Sequence, residues 1–333
     1  MKFKLNKITK FSFNRLFHNN SNINDKIEYL TTSVDKNILG HYLAGLIEGD
    51  GSIIVPVTSR NQKGKLLYPS VKITFVNKDA PLAIKIKEVL EAGTLEYPKN
   101  TKYVNLLFQD VNILQKIAVL INGKMRTPKI EALHRMMDWL NARSILPKLQ
   151  SNKLKLLTKL GKDTSPLGDN PWLTGFIEAD GNFYSLFTIN SQGIAERIRH
   201  YMRISQKTVY GKNSNLLKEN NSNYHIMEII REFLDVKSVN VIKRTKKQYV
   251  ELAYEVRTSR KSSSEKLIAY FYKYPLFSSK HQDFLSWSEI HKIRLSKSYR
   301  TIHGTDKLIF LKNSMNTLRT QYNWDSLNKF YIV

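Results

Sequence analysis

One nine-residue stretch occurs twice in this chain, and it limits the fold more than any other feature. Leu43-Ala44-Gly45-Leu46-Ile47-Glu48-Gly49-Asp50-Gly51 returns without a gap as Leu173-Thr174-Gly175-Phe176-Ile177-Glu178-Ala179-Asp180-Gly181. The three differences, Ala44/Thr174, Leu46/Phe176 and Gly49/Ala179, keep small or bulky apolar character. Read as a helix, each copy has an apolar stripe at i, i+3, i+4: Leu43, Leu46 and Ile47, matched by Leu173, Phe176 and Ile177. A second face carries small residues four apart, Gly45 with Gly49 and Gly175 with Ala179. Small residues at that spacing let two helix backbones approach closely. Each copy ends in Asp then Gly, the usual helix stop, and an extended apolar run follows (Ser52–Val55, Asn182–Tyr184).

Packing the copies along their small faces brings two helix ends together and sets Asp50 beside Asp180. Helix C-termini disfavour negative charge, so two such carboxylates are costly as bare ions. Divalent cations remove that cost, oxygen-only ligands suit Mg²⁺, and paired metals serve in-line phosphoryl displacement. Each motif holds two acids, and helical angle does not choose between Glu48 and Asp50 or between Glu178 and Asp180. Position favours the aspartates, which stand at the helix end nearest the following strand. Glu48 and Glu178 are expected to be solvated or structural.

Both nonapeptides resemble the motif for which the LAGLIDADG homing endonucleases are named. The two-copy layout is similar to their single-chain, pseudo-dimeric members, and the likeness runs roughly from Ile38 to Arg294. The resemblance implies an α+β fold of two pseudo-symmetric αββαββα repeats with DNA-binding antiparallel β-sheets. It assigns metal binding to the last acid of each motif, here Asp50 and Asp180. It also implies a lysine near the scissile phosphate, carried over to Lys129 and Lys280. Both strands would be cut across a minor groove, leaving short 3′ overhangs.

Composition agrees. The 333 residues carry a net charge of +25, with 41% hydrophobic and 11% aromatic residues. That is ample for cored domains, and the charge calls for a polyanionic partner. Cysteine is absent, which excludes a disulfide framework and Cys-based zinc sites. No apolar run approaches the roughly 18 residues of a membrane span. The eight histidines fall into no metal-ligand spacing. The basic N-terminus lacks the apolar core of a secretory signal. Richness in Lys, Asn, Ile, Tyr and Phe points to an AT-rich genome, and so to an organelle-encoded, mitochondrial protein.

The chain divides into a basic N-terminal arm (1–37), a first repeat (38–150), a linker (151–170), a second repeat (171–295) and a basic C-terminal extension (296–333), expected to be helical and packed on the second repeat. Strands are expected near Ser52–Thr58, Ser70–Phe75, Tyr103–Phe108 and Phe183–Ile189, and helices over Ala80–Leu90 and Val111–Ile121. Pro128 marks the first turn of a further helix, and Ser262–Ser264 reads as a capping loop. In Ser70–Phe75 the polar residues Ser70, Lys72 and Thr74 alternate with apolar ones and form a face fit to read base edges. Arg203 and Lys207 lie in a closely spaced basic run. A hairpin near Val239–Tyr254 places Lys243, Arg244, Lys246 and Lys247 in its turn as a phosphate clamp. Different polar residues in the two halves imply a long, asymmetric double-stranded target read by a monomer. An RNA maturase acting on its host intron is the main alternative. A non-cutting DNA-binding regulator on the same fold is the third reading, and the retained aspartates count against it.

Overall fold

The first motif helix, α1 (Lys36–Asp50), starts at a side-chain cap: the Asp35 carboxylate accepts the N–H groups of Asn37 at 2.8 Å and Ile38 at 3.1 Å, satisfying two donors the helix itself leaves open. In the computed structural model, which describes residues 35–144, 155–211, 221–245 and 249–331, α1 opens the series β1 (Gly51–Ile54), β2 (Ser70–Val76), α2 (Ala80–Leu90), β3 (Thr94–Glu96), β4 (Tyr103–Phe108), α3 (Val111–Ile121) and α4 (Ile130–Ser144). The series recurs as α5 (Trp172–Asp180), β5 (Gly181–Ile189), β6 (Ala195–Lys207), α6 (Tyr224–Phe233), β7 (Asn240–Thr245), β8 (Val250–Arg257) and α7 (Lys261–Lys273), followed by α8 (Ser279–Ser296) and α9 (Ile302–Asn313). The two sheets have the same antiparallel order, β1-β2-β4-β3 and β5-β6-β8-β7. The fold is therefore α+β, with an αββαββα unit used twice. Most of the N-terminal arm, part of the linker, and Lys246 and Lys247 lie outside the described residues.

Each sheet buries one face. Along β2, Val71, Ile73 and Phe75 point into the core that also takes Leu82, Ala83 and Ile86 of α2. Strand alternation leaves Lys72 and Thr74 on the opposite face. β1 stops at Ile54 rather than continuing to Thr58. Pro56 follows, and without an N–H it cannot extend the ladder.

The repeats meet where α1 and α5 pack on each other. A Cβ at Gly45 would stand 2.0 Å from the Trp172 carbonyl oxygen, and one at Gly175 would stand 2.0 Å from that of Tyr42. Tyr42 and Trp172 are themselves fully buried. Further along, a Cβ at Gly49 would overlap that of Ala179 at 2.1 Å, so glycine on one helix makes room for alanine on the other. This is the small-residue face read from the sequence.

Several expectations need correction. Gly51 and Gly181 end their helices in extended rather than left-handed conformation, with φ of −88° and −79°. Glycine serves a steric need instead, since a Cβ would press on Ile47 Cα at 2.6 Å or Ile177 Cγ2 at 2.4 Å. Pro128 precedes α4 in a turn closed by Ile130 N–H to the Thr127 carbonyl at 3.2 Å. Ser262–Ser264 belongs to the first turns of α7, where Ser263 Oγ donates to the Asp235 carbonyl at 2.9 Å. Lys243 and Arg244 sit within β7, paired to Leu252 and Glu251, not in the turn.

The described part of the linker is strapped to the first repeat. Asn141 bonds both the carbonyl and the N–H of Leu157, at 2.9 and 2.8 Å. Asn122 does the same across Thr158 and Leu160 at 2.8 and 3.0 Å. The C-terminal extension forms α9 as expected, but it ends elsewhere. Phe330 and Tyr331 pack on Tyr42 of α1 at ring separations of 5.6 and 5.2 Å, and Asp35 N–H donates to the Tyr331 carbonyl at 3.2 Å.

Gly45→Ala and Gly175→Ala are each expected to destabilise the protein by about 3 kcal/mol, because the added methyl meets backbone that cannot move aside. Gly161→Ala, with open space around it, is the matched control. Urea midpoints check this, and equal midpoints for all three variants would contradict it.

Candidate active site

α1 and α5 end side by side. A Cβ at Gly49 would lie 3.1 Å from Asp180 Oδ2, and the two aspartates occupy the last position of their helices. Asp50 reaches the surface at its helix end, although the groups packed around its carboxyl still desolvate it in part, and Asp180 is half-buried. The terminal carbonyls, which have no partner inside a helix, are taken up by two lysines. Lys129 Nζ donates to the carbonyls of Ile47, Glu48 and Gly51 at 3.0, 2.6 and 2.9 Å. Lys280 Nζ donates to those of Ile177, Glu178 and Ala179 at 3.2, 2.5 and 2.8 Å. A cation at a helix C-terminus is favourable on its own account.

The other motif acids hold these lysines in place. Glu48 is buried and accepts the N–H groups of Arg126 at 2.9 Å and Thr127 at 2.5 Å, fixing the turn that leads to Lys129. It also accepts Trp172 Nε1 at 2.6 Å from the other repeat. Glu178 repeats the device, accepting the N–H groups of Phe277 and Ser278 and the Ser278 hydroxyl just ahead of Lys280. Of the two roles the sequence left open for these glutamates, the structural one is what the chain adopts. Their burial pushes both carboxyls up, against the hydrogen bonds that favour the charged form.

The result is a compact quartet of two carboxylates and two ammoniums. Burial raises Asp180 first, and the Asp50 charge adds to it. Both lysines and the Gln206 amide pull the other way, and the group stands at about 6. Burial likewise raises Asp50, opposed by Lys280 and Lys129. Burial lowers both lysines, against the neighbouring carboxylates. Hard oxygen donors that are uncomfortable as bare ions suit a divalent cation of the Mg²⁺ type. Such an ion takes one or two carboxylates from protein and completes its shell from phosphate and water. No group of three or more His, Cys, Asp or Glu side chains suited to a metal occurs among the described residues. Asp50 and Asp180 are thus a two-carboxylate donor pair, which fits such a cation when other oxygen ligands complete its shell.

The two sheets carry the remaining expected contacts. Lys72 and Thr74 lie on the face turned away from the core, Thr74 donating to Asn105 Oδ1 at 2.9 Å. Ser70 departs from expectation: at the end of β2, paired with Ile54, it is only 8% exposed. Arg203 and Lys243 are exposed. Lys207 pairs with Glu251 at 2.8 Å, and Arg244 reaches the same carboxylate at 3.5 Å and the Ser205 hydroxyl. Sequence reasoning missed two residues. Arg257 lies over the Tyr201 ring at 4.7 Å, and Tyr201 stacks on Tyr184 at 4.7 Å. Gln206 donates its amide to Asp180 Oδ2. A signal for Gln206 was present, since it interrupts the apolar alternation Met202, Ile204 two positions beyond the residue paired with Gly181.

A profile described as LAGLIDADG endonuclease matches residues 43–140 and 173–291. The chain is 33% identical over 328 residues to "Intron-encoded DNA endonuclease aI3" of Saccharomyces cerevisiae, covering 95% of this chain and 78% of that protein. Among solved structures, it resembles I-SmaMI bound to uncleaved DNA target in the presence of calcium ions, with TM-score 0.57, 20% identity, and 83% of this chain and 98% of that one covered. It also resembles LAGLIDADG homing endonuclease I-GzeII in complex with DNA target, with TM-score 0.61, 16% identity, and 84% and 99% covered. At these identities the two structures establish the fold.

The raised Asp180 carboxyl has a thermodynamic consequence. The folded protein holds this proton more tightly than the unfolded chain does. Its stabilising contribution is therefore complete below the unfolded value and is lost as pH rises through about 6. Asp180→Asn removes the effect. The variant is expected to melt several degrees above the parent at about pH 7.5 and together with it at about pH 4 without divalent cation. Melting curves at both pH values check this, and a variant less stable at the higher pH would refute it.

Proposed function

This chain belongs to the LAGLIDADG endonuclease family, and we propose that it is a metal-dependent, site-specific DNA endonuclease of the intron-homing kind, acting as a monomer on a long asymmetric duplex. The observation that carries the reading is the pair of aspartates at adjacent helix ends, each backed by a lysine. DNA recognition is supported by the net charge of +25 and by the DNA targets held by I-SmaMI and I-GzeII. An intron-encoded relative and the richness in Lys, Asn, Ile, Tyr and Phe, residues with AT-rich codons, support a mitochondrial, organelle-encoded origin. The working units are residues 38–150 and 171–295, joined by 151–170, with 1–37 and 296–333 as additions.

Asp50 and Asp180 would hold the divalent cations against the scissile phosphates. Bound there, a cation supplies charge stabilisation for the phosphate and lowers the pKa of water at the reacting face. The chain does the rest by placement. Glu48 and Glu178 fix the turns bearing Lys129 and Lys280. Those ammoniums hold the helix ends rigid and offset the aspartate charge, leaving a site that attracts a cation without repelling the phosphate outright. Lys72, Arg203, Lys243 and Arg257 lie on the sheets, and Lys246 and Lys247 follow β7 in the sequence. These cations would position the backbone, and the polar side chains beside them would read base edges. Holding the two carboxylates where the repeats meet makes both cuts depend on one seam.

The test is cleavage of DNA from candidate intronless host genes by the purified protein, with Mg²⁺ and with EDTA. A discrete double-strand cut with Mg²⁺ and none with EDTA is expected, with Asp50→Asn and Asp180→Asn each losing more than about 100-fold in double-strand cleavage. Tight binding to host intron RNA, with no cut in any DNA or metal, would replace this reading with the maturase.

A further inference from the structure

The segment that joins the repeats does more than span them. Asp163 N–H donates to the Met125 carbonyl at 2.8 Å, which lays the linker against the turn running from Met125 to Lys129. Arg126, only 3% exposed, reaches back into the linker. Its Nη2 donates to Asp163 Oδ2 at 2.6 Å and to Ser165 Oγ at 2.9 Å. The other Asp163 oxygen accepts the Ser165 N–H at 2.8 Å. Burial works against this carboxylate, but contacts with His41 and Ser165 and the Arg126 charge hold it down at about 2. It is therefore charged at neutral pH.

These bonds close a ring. Ser165 Oγ also accepts the Asn170 amide at 3.0 Å, and Asn170 Oδ1 accepts the Trp172 N–H at 3.0 Å. Trp172 donates its indole N–H to Glu48 at 2.6 Å, and Glu48 accepts the Arg126 N–H at 2.9 Å. The circuit runs from the motif acid of the first repeat, through the linker, to the first residue of α5 and back. Lys129, three residues beyond Arg126, takes its place from the turn this ring holds. The second repeat is built differently. Phe277 stands three residues before Lys280, where the first repeat has Arg126, and packs on Tyr42, Phe330 and Tyr331 at ring separations of 6.0, 4.8 and 5.1 Å.

A buried ion pair contributes little stability beyond what well-packed apolar groups would give, and the second repeat manages with such groups. What the pair adds is direction, since a planar guanidinium held by two acceptors fixes the turn in one orientation. Placement of that order matters at a reacting site, where a displacement of about 1 Å can cost about 100-fold in rate. We propose that Asp163 is a positioning residue for DNA cleavage: through Arg126 it fixes the turn that sets Lys129 against the Asp50 helix end. The linker is thereby part of the site's support as well as a tether.

This proposal rests on the endonuclease reading and is tested on a duplex that the parent protein cuts. Cutting rates are measured under single turnover with protein in excess, affinity for the same duplex in EDTA, and melting temperatures alongside. Asp163→Asn is expected to cut about 10-fold more slowly with affinity within about twofold of the parent. It should also melt lower, because a buried guanidinium is left without its counter-charge. Arg126→Met combined with Asp163→Asn removes that stranded charge. The double variant is expected to regain the parent's melting temperature and to remain about 10-fold slow, which separates positioning from stability. Where neither protein folds, Ser165→Ala spares the ion pair, removes one acceptor of the guanidinium and should cut about threefold more slowly. A double variant that cuts at the parent's rate, an affinity that falls in step with the rate, or a Ser165→Ala protein as fast as the parent would overturn the proposal. A parent protein that binds DNA targets and cuts neither strand would instead overturn the endonuclease reading.

Discussion

The close approach of α1 and α5 is the contact on which the rest depends. Glycines 45 and 175 let each helix backbone rest against a carbonyl of the other. A spacing wider by one methyl group would separate the aspartates and open the buried seam. It would also part Trp172 from Glu48, the hydrogen bond that ties the second repeat to a motif acid of the first. Packing of this kind tolerates little change because protein interiors leave few voids and give way poorly to added volume.

That approach creates an electrostatic problem, and the fold answers it locally. Two neighbouring acids at helix C-termini, each partly desolvated, are disfavoured as ions. The chain brings a lysine to each end and holds it by a buried glutamate from the same motif. Each nonapeptide thus supplies the acid at the helix end, the acid that positions the counter-charge, and the glycines that let its partner in. Compensation is incomplete, as the raised Asp180 carboxyl records. A site of this sort is held by surrounding packing in a state that a bound divalent cation would relieve.

Much of the architecture was legible in the residues, for identifiable reasons. α2, α3 and β4 fall where the apolar periodicity and turn residues placed them, because their patterns are local and unopposed. The misreadings share a cause. β1 is short because of Pro56. Ser262–Ser264 joins a helix because Ser263 finds a tertiary partner in the Asp235 carbonyl. Lys243 and Arg244 enter β7 because β8 pairs with them. In each case propensity was overruled by a hydrogen-bond partner, or by the lack of one.

The sequence by itself determined the duplicated unit, the small-residue faces and hence the meeting of Asp50 with Asp180, since these follow from helical spacing and steric size. Tertiary structure alone decided how each part is used. Glu48 and Glu178 become scaffolding because distant turns present N–H groups to them. Lys129 and Lys280 become caps because those turns end at the motif carbonyls. The meeting of Gln206 with Asp180 requires the register of β6 against β5. That Asn316 and Thr317 line the space beside Asp50 depends on the path of a tail nearly 270 residues further along the chain. Spacing along a chain encodes what neighbours in one element share, whereas contacts between remote segments depend on which surfaces the folded backbone brings together.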